Sequence, residues 1–182
     1  MHGPVVVGAP VISPVIQIGQ APGEHEGRLG RPFAWTAGKL LFEWYRQIGA
    51  DEAMIRDRVY MAAVCRCFPG RRASGGHRVP DAGEVERCAT WLRREIEMLQ
   101  PKLLIPVGKL AITQLLPVAR LVDVIGRQQR VTVYGRSVDV IPLPHPSGLS
   151  SWHKSEPGRT LLQQALHAIR AHPSWRAIMT VD

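Results

Sequence analysis

Short apolar runs alternate with amphipathic segments along the chain, and this alternation predicts an α/β fold. The runs Val15–Ile18, Val59–Val64 and Leu103–Val107 have the length and the flanking turn residues that are typical of buried strands. Two further runs, Arg130–Tyr134 and Val138–Leu143, flank a Tyr-Gly-Arg turn. We expect a three-layer α/β/α sandwich with a mostly parallel central sheet of about four strands, joined by right-handed crossovers.

Four segments between and after these runs have the spacing of helices. The first begins at Thr36, a residue type that caps helices, and repeats apolar residues at helical spacing as far as Ile48. In the second, Asp81 and Glu84 have the spacing of a capping box for a helix that runs to about Leu99. The other predicted helices are Lys109–Leu116 and Glu156–Ala171.

The stretch Val15–Leu41 places chemically distinctive residues after the first predicted strand. Glycines, prolines and charged residues follow the strand, so the chain leaves the sheet at its carboxyl edge, where α/β proteins bind ligands. Glu24, His25 and Glu26 supply titratable groups, and Phe33 supplies an aromatic face. From composition alone, this segment fits a pocket for a planar ligand and a solvated surface loop about equally well.

Length and charge narrow the classes of function. The 182 residues fit one domain, spanning 1–182, and suffice to bury a core. A net charge of +8 favours a polyanionic partner such as DNA, although a basic composition shared across the source organism would give the same excess. No apolar run approaches the roughly 20 residues of a membrane span, and the first residues lack the pattern of a secretory signal. We therefore expect a cytoplasmic protein.

Two motifs give the chain a family resemblance. The first is Gly-Gln-Ala-Pro-Gly at residues 19–23, followed by Gly-Arg-Pro-Phe at residues 30–33. The second is His-Pro-Ser-Gly-Leu-Ser at residues 145–150. In this order, with the middle segments 59–64 and 101–108, they resemble the uracil-DNA glycosylase superfamily, closest to its families four and five.

The resemblance implies a DNA-repair enzyme that hydrolyses the N-glycosidic bond of uracil after the nucleotide has flipped out of the duplex. His145 would donate a hydrogen bond to the uracil O2 oxygen as the bond breaks, and Phe33 would stack on the flipped base. Leu149 matches the apolar wedge that replaces the flipped nucleotide. The other expected base-pocket positions are Gln20, which we also count as catalytic, Ala21, Ala63 and Ser147, and the other expected DNA contacts are Gly148, Ser150, Lys109, Arg71 and Arg72.

Some positions depart from the family pattern. The asparagine with which family-four proteins read the pyrimidine edge is Ala63 here, as in family five, and the polar residue that many members place after Gly-Gln is Ala21. The usual water-activating group is therefore missing. Glu24 is our candidate for that catalytic role because it directly follows the tight turn, and His25 and Glu26 are alternatives.

The cysteines bear on a cofactor that the resemblance implies. Enzymes of families four and five hold a four-iron, four-sulfur cluster through four thiolates, two of them in an N-terminal segment. Cys67 and Cys88 match the other two ligands, but no cysteine precedes Cys65 and the chain has only 3. We therefore expect no cluster, no other metal or cofactor, and cysteines that act as buried small hydrophobic residues.

Three functions stay open from the sequence. The first is a monofunctional uracil-DNA glycosylase, favoured by His145, which would act as a nucleoid-associated monomer on single- or double-stranded DNA that contains uracil. The second is a DNA-binding protein of the same fold that recognises uracil or another damaged base, such as hypoxanthine, without releasing it. Loss of both polar pocket residues favours this second function. A third, a small-molecule nucleotide-binding protein, would need neither the exposed Leu149 nor the strong positive charge.

Overall fold

The computed structural model describes residues 1–147 and 151–180 and contains a central β-sheet. Its strands are β1 (Val15–Gly19), β2 (Tyr60–Ala63), β3 (Leu103–Pro106), β4 (Gln129–Val133) and β5 (Arg136–Val140). The sheet has 5 strands in the order β2-β1-β3-β5-β4, and all neighbours are parallel except β4 and β5. The predicted α/β class and mostly parallel sheet are confirmed. The expected count of four strands is wrong because both arms of the hairpin join the same sheet.

The antiparallel hairpin forms where the Tyr-Gly-Arg turn was predicted. Tyr134 and Gly135 have φ values of +48° and +77°, the left-handed region that two-residue hairpin turns require at both central positions. Val133 then pairs with Arg136 and starts the ladder. Glycine adopts this conformation without strain, which explains why the turn could be predicted from the sequence.

Helices cover the two faces of the sheet. In the described residues they are α1 (Glu24–Leu29), α2 (Thr36–Arg46), α3 (Glu52–Arg58), α4 (Ala82–Leu99), α5 (Lys109–Thr113), α6 (Gly158–Ala171) and α7 (Pro173–Met179). The connection from β1 to β2 moves along the sheet in the opposite direction from the connection between β2 and β3. Because both crossovers are right-handed, α4 lies on the opposite face from α2 and α3. On the latter face, α7 packs against α3 and α6.

The predicted helices are present, with differences at their ends. The capping box is formed as expected, since Asp81 accepts a 2.9 Å hydrogen bond from the Glu84 amide and Glu84 accepts one of 2.9 Å from the Asp81 amide. The fourth predicted helix starts at Gly158, and the third ends at Thr113. Three short helices, α1, α3 and α7, fall outside the predicted set. The α1 helix occupies part of the segment that the sequence indicated to be an irregular loop.

The core lies around β1 and β3, which are interior strands of the sheet. Every residue of both strands is buried, which explains why they read as nearly continuous apolar runs rather than as alternating ones. Gln17 is the polar exception in β1, and its side-chain carbonyl accepts a 2.8 Å hydrogen bond from the Tyr45 hydroxyl. Burial raises the pKa of Tyr45. Among the residues that the structure describes, no helix combines the length and the apolar character needed to cross a bilayer.

Candidate active site

A cavity of about 800 Å³ opens at the carboxyl edge of the sheet. Gly19 at the end of β1 and Ala62 and Ala63 at the end of β2 line it, together with His145 and Ser147 from the segment that follows β5. Parallel strands end at the same edge, so the fold brings together residues that are more than one hundred positions apart in the sequence. The two sequence motifs therefore meet in one cavity.

Phe33 forms one wall of this cavity, and its position depends on close backbone approaches. A Cβ at Gly19 would lie 3.0 Å from two carbons of the Phe33 ring, and one at Gly38 would lie 1.7 Å from the Phe33 carbonyl oxygen. Phe33 itself has φ +53°, which costs a residue with a side chain about 1–2 kcal/mol. Arg56 offsets this strain by donating hydrogen bonds of 3.1 and 3.2 Å to the carbonyls of Pro32 and Phe33.

The carboxylate of Glu26 joins the two halves of the first motif. It accepts hydrogen bonds from the amide of Gly23, at 2.5 Å, and from the amide of Ala34, at 3.0 Å. Glu26 is only 8% exposed and lines the cavity. Burial raises its pKa, while the backbone amides that it accepts from and the charge of Arg56 oppose that rise. Glu26 therefore fixes the turn after β1 relative to Phe33.

Glu24, the predicted water-activating residue, lies outside the lining of this cavity. It faces a smaller depression shared with His2 and Arg28. Its carboxylate accepts a 2.9 Å hydrogen bond from Nε of Arg71, and this contact is the main reason why the pKa of Glu24 is lowered. Residues two apart on a helix point about 200° away from each other, so α1 directs Glu26 towards the cavity and Glu24 away from it.

His145 reaches the cavity past a glycine. Gly108 has φ +87°, and a Cβ there would lie 2.9 Å from Cδ2 of His145, so only glycine leaves room for the imidazole. The amide of Gly108 donates a 2.9 Å hydrogen bond to the carbonyl of Leu143, which ties the segment after β5 to β3. Burial lowers the pKa of His145, and the neighbouring His77 lowers it further. At neutral pH the His145 imidazole is therefore neutral and can donate one hydrogen bond.

The basic loop between β2 and α4 closes one side of the cavity mouth. Arg72 and His77 line the cavity, and the His77 ring approaches to 3.0 Å of where a Cβ on Gly23 would stand. Arg78 lines the cavity as well and donates hydrogen bonds of 2.8 and 2.7 Å to Glu84 on α4, so it anchors the loop. Burial lowers the pKa of His77, and the charge of Arg71 lowers it further.

The remaining predicted positions divide into three groups. Gln20 and Ala21 line the cavity with Ala63 and Ser147, and their role in binding a base stays a prediction. Lys109, at the start of α5, is exposed and lies outside that lining. The predicted DNA contacts that lie outside the described residues are Gly148, Leu149 and Ser150. Sequence reasoning overlooked Trp35, which also lines the cavity and is exposed, so no burial pattern marks it.

The cysteines do not fit the four-thiolate cluster that the resemblance implies. The chain has 3 cysteines, one fewer than the cluster requires. Cys65 is fully buried, and burial, with a smaller effect of the neighbouring Cys88, raises the pKa of Cys65 well above its ordinary value. Cys67 and Cys88 are partly exposed rather than buried, because they lie at the margin of the core. In the described ranges, no group of three or more His, Cys, Asp or Glu residues is arranged to hold a metal ion.

Comparison with known proteins identifies the family to which this chain belongs. Residues 6–170 match the family described as "Uracil DNA glycosylase superfamily", so the chain belongs to that superfamily. A type-4 uracil-DNA glycosylase of Archaeoglobus fulgidus is 31% identical over 140 residues, which cover 74% of this chain and 66% of that protein. A type-4 enzyme of Thermotoga maritima is 31% identical over 156 residues, covering 82% and 72%. The predicted superfamily, with its branches four and five, is confirmed.

More distant relatives extend the comparison. A type-5 uracil-DNA glycosylase of Pyrobaculum aerophilum is 31% identical over 108 residues, which cover 53% of this chain and 45% of that protein. The crystal structure of wild-type SMUG2 from Pedobacter heparinus matches with a TM-score of 0.50 at 15% identity, covering 87% of this chain and 75% of that one. At this identity, the structural match supports the fold alone.

Proposed function

We propose that this protein is a uracil-DNA glycosylase, which hydrolyses the bond between N1 of uracil and C1′ of deoxyribose in DNA. The observation that carries the proposal is that Phe33 and His145, from two distant motifs, line the same cavity at the carboxyl edge of the sheet. The type-4 and type-5 names of its relatives support the same substrate. We further propose that it acts as a single-domain monomer without a metal cofactor.

Base recognition in this proposal depends on shape and stacking. The cavity, at about 800 Å³, lies within the usual range for small-molecule pockets and can hold a flipped pyrimidine. Phe33 offers a ring face, held in place by Glu26 and Arg56, on which the base stacks. Gln20 is the polar side chain that could read the base edge, because Ala21 and Ala63 offer only methyl groups.

His145 would stabilise the leaving group. As the C1′–N1 bond breaks, its electron pair stays with the base, and negative charge spreads onto the uracil oxygens. A neutral imidazole that donates a hydrogen bond to O2 stabilises that charge in the transition state more than in the ground state. Water then adds to C1′ and loses a proton to solvent.

The mechanism does not depend on a base that activates water before the bond breaks. Positive charge develops on the sugar before water adds, so a general base raises the rate without being essential. Glu26 is the carboxylate nearer to the cavity, but both of its oxygens already accept backbone hydrogen bonds. We therefore give Glu26 a positioning role. Glu24 forms an ion pair with Arg71, so we do not assign it the role of general base.

DNA binding in this proposal combines charge with flipping. The net charge of +8 attracts the phosphates, and Arg72 at the cavity mouth is placed to meet them. Arg71 and Lys109 are exposed and can add phosphate contacts. Leu149 remains our candidate for the wedge that enters the base stack of a duplex while the nucleotide turns into the cavity.

The test is release of uracil from a labelled duplex with one uracil, followed by strand scission in alkali. His145→Ala should lower the single-turnover rate by on the order of a hundredfold, whereas His167→Ala, an exposed histidine on α6, should not. Binding of His145→Ala to abasic-site DNA should stay near the wild-type value, because that product contains no base. Wild-type protein that binds the duplex but releases no uracil would contradict the proposal and favour the lesion-binding function.

A further inference from the structure

Trp35 is an exposed aromatic residue at the mouth of the cavity. It immediately precedes α2, it lines the cavity, and 46% of its surface is exposed. Its ring stacks on the imidazole of His25 from α1, with ring centroids 4.3 Å apart and planes inclined by 27°. His25 also lines the cavity. The two rings therefore form a supported aromatic surface at the entrance.

This surface differs from the other exposed tryptophan of the described chain. Trp91 on α4 is 53% exposed, but the guanidinium groups of Arg66 and Arg94 lie over its ring at 5.5 and 5.9 Å. Trp91 is also absent from the cavity lining. A large apolar ring is normally buried. Trp35 is exposed beside a ligand cavity and is supported by a stacked imidazole, so it is suited to stacking with an aromatic group of a ligand.

The position of Trp35 indicates which group that is. Trp35 and Phe33 are two residues apart, so their Cα atoms are separated by at most about 7.6 Å. Bases along one DNA strand are stacked about 3.4 Å apart, so Trp35 lies within one or two bases of the nucleotide that Phe33 would hold. Arg72 at the same mouth, and the exposed Arg31 before the motif's Pro-Phe pair, add positive charge for the phosphates.

We propose that Trp35, supported by His25, is a stacking subsite for an unpaired nucleobase next to the flipped nucleotide. A nucleobase presents a flat π face whatever its identity, so this contact adds affinity without sequence preference. In a duplex, the neighbouring base stays paired and stacked, which restricts its access to Trp35. The subsite therefore favours single-stranded DNA. This inference rests on the proposed function for the choice of DNA as the ligand.

Binding of a uracil-free oligothymidylate tests the subsite separately from catalysis. Trp35→Ala should weaken binding on the order of tenfold, because stacking on one aromatic side chain contributes roughly 1–3 kcal/mol per base. Trp35→Phe should retain most of the affinity, and Trp91→Ala should bind like the wild type. The slope of affinity against salt should be the same in all four proteins, since no phosphate contact is changed. Tryptophan fluorescence quenched by the oligonucleotide should lose a component in Trp35→Phe that Trp91→Ala retains.

The outcomes separate this inference from the proposed function. Trp35-dependent binding by a protein that never releases uracil would support the subsite and refute the glycosylase. Uracil release with unchanged oligonucleotide binding by Trp35→Ala would refute the subsite and leave the glycosylase in place. His25→Ala, which removes only the support, should weaken binding less than Trp35→Ala. An equal loss of binding in Trp35→Phe and Trp35→Ala, with lowered melting temperatures in both, would show a structural role instead and overturn the inference.

Discussion

Gly108→Ala is expected to displace the His145 imidazole without replacing any side chain that contacts the substrate in the proposed mechanism. The added Cβ would lie 2.9 Å from Cδ2 and 3.2 Å from Cβ of His145, closer than such atoms pack, so the imidazole must move. The φ of +87° adds strain of about 1–2 kcal/mol for a residue with a side chain. Stability should therefore fall by at least this amount.

The catalytic effect follows from the displacement of the ring. In the proposed mechanism His145 hydrogen bonds the leaving base, and a shift approaching 1 Å at such a group lowers the rate by up to about a hundredfold. We expect kcat to fall roughly ten- to a hundredfold, towards the level of His145→Ala, with a smaller change in DNA binding. Single-turnover uracil release and urea unfolding measure the two effects separately.

Gly49→Ala is the matched control. Gly49 has nearly the same φ, +86°, but a Cβ there would meet no atom within 4 Å. It should lose stability from backbone strain alone and keep the wild-type rate of uracil release. If Gly108→Ala and Gly49→Ala lose stability equally and both retain full activity, the close approach of Gly108 to His145 does not position the imidazole for the proposed reaction.

Three further predictions follow. Glu26→Gln should lower both stability and the rate of uracil release, because a glutamine amide has one acceptor oxygen and accepts only one of the two backbone hydrogen bonds. Glu24→Gln should leave the rate unchanged, and an equal loss in both variants would contradict the placement of Glu24 outside the cavity. DNA affinity should fall steeply from low to physiological salt, and a flat titration would refute the role given to the +8 charge. The Arg130 guanidinium lowers the pKa of Asp139 in the folded protein. This ion pair therefore stabilises the fold at pH values above about 3.9, the pKa of an aspartate in the unfolded chain. The stabilisation is lost as the pH falls through the lower pKa that Asp139 has in the folded protein. Urea unfolding should therefore show Arg130→Ala destabilised at pH 7 and close to wild type at pH 2, and a constant difference would exclude this pair.

The parallel strands and the capped helix α4 could be predicted because their signals are local. A strand buried on both faces must be apolar throughout, and Asp81 with Glu84 satisfies two backbone amides at a helix start. The α1 helix could not, because its six residues, which include Gly27, have no apolar repeat and bury only Glu26. Because this helix was not predicted, the different directions of the Glu24 and Glu26 side chains were not predicted either. The two side chains point in different directions only because the segment is helical.

The cavity itself could be predicted in part. Histidine and phenylalanine are residue types that suit hydrogen bonding to and stacking on a nucleobase. The strands of a parallel sheet end at one edge, so it could be inferred that His145 and Phe33 line the same cavity. The contribution of Trp35 could not, because an exposed aromatic residue follows no periodic pattern. The role of Gly108 depends on the three-dimensional approach of His145, about which the sequence between them carries no local signal.

The two hydrogen bonds that the Glu26 carboxylate accepts have a consequence for protein engineering. Because these hydrogen bonds tie the amides of Gly23 and Ala34 to one carboxylate, the position of Phe33 does not depend on the exposed residues 28–31, which form the end of α1 and the turn after it. Doubling the length of such a loop raises its closure free energy by only about 0.6 kcal/mol. Grafted loops of varied sequence at this bend would give a library of proteins with altered outer surfaces and an unchanged interior.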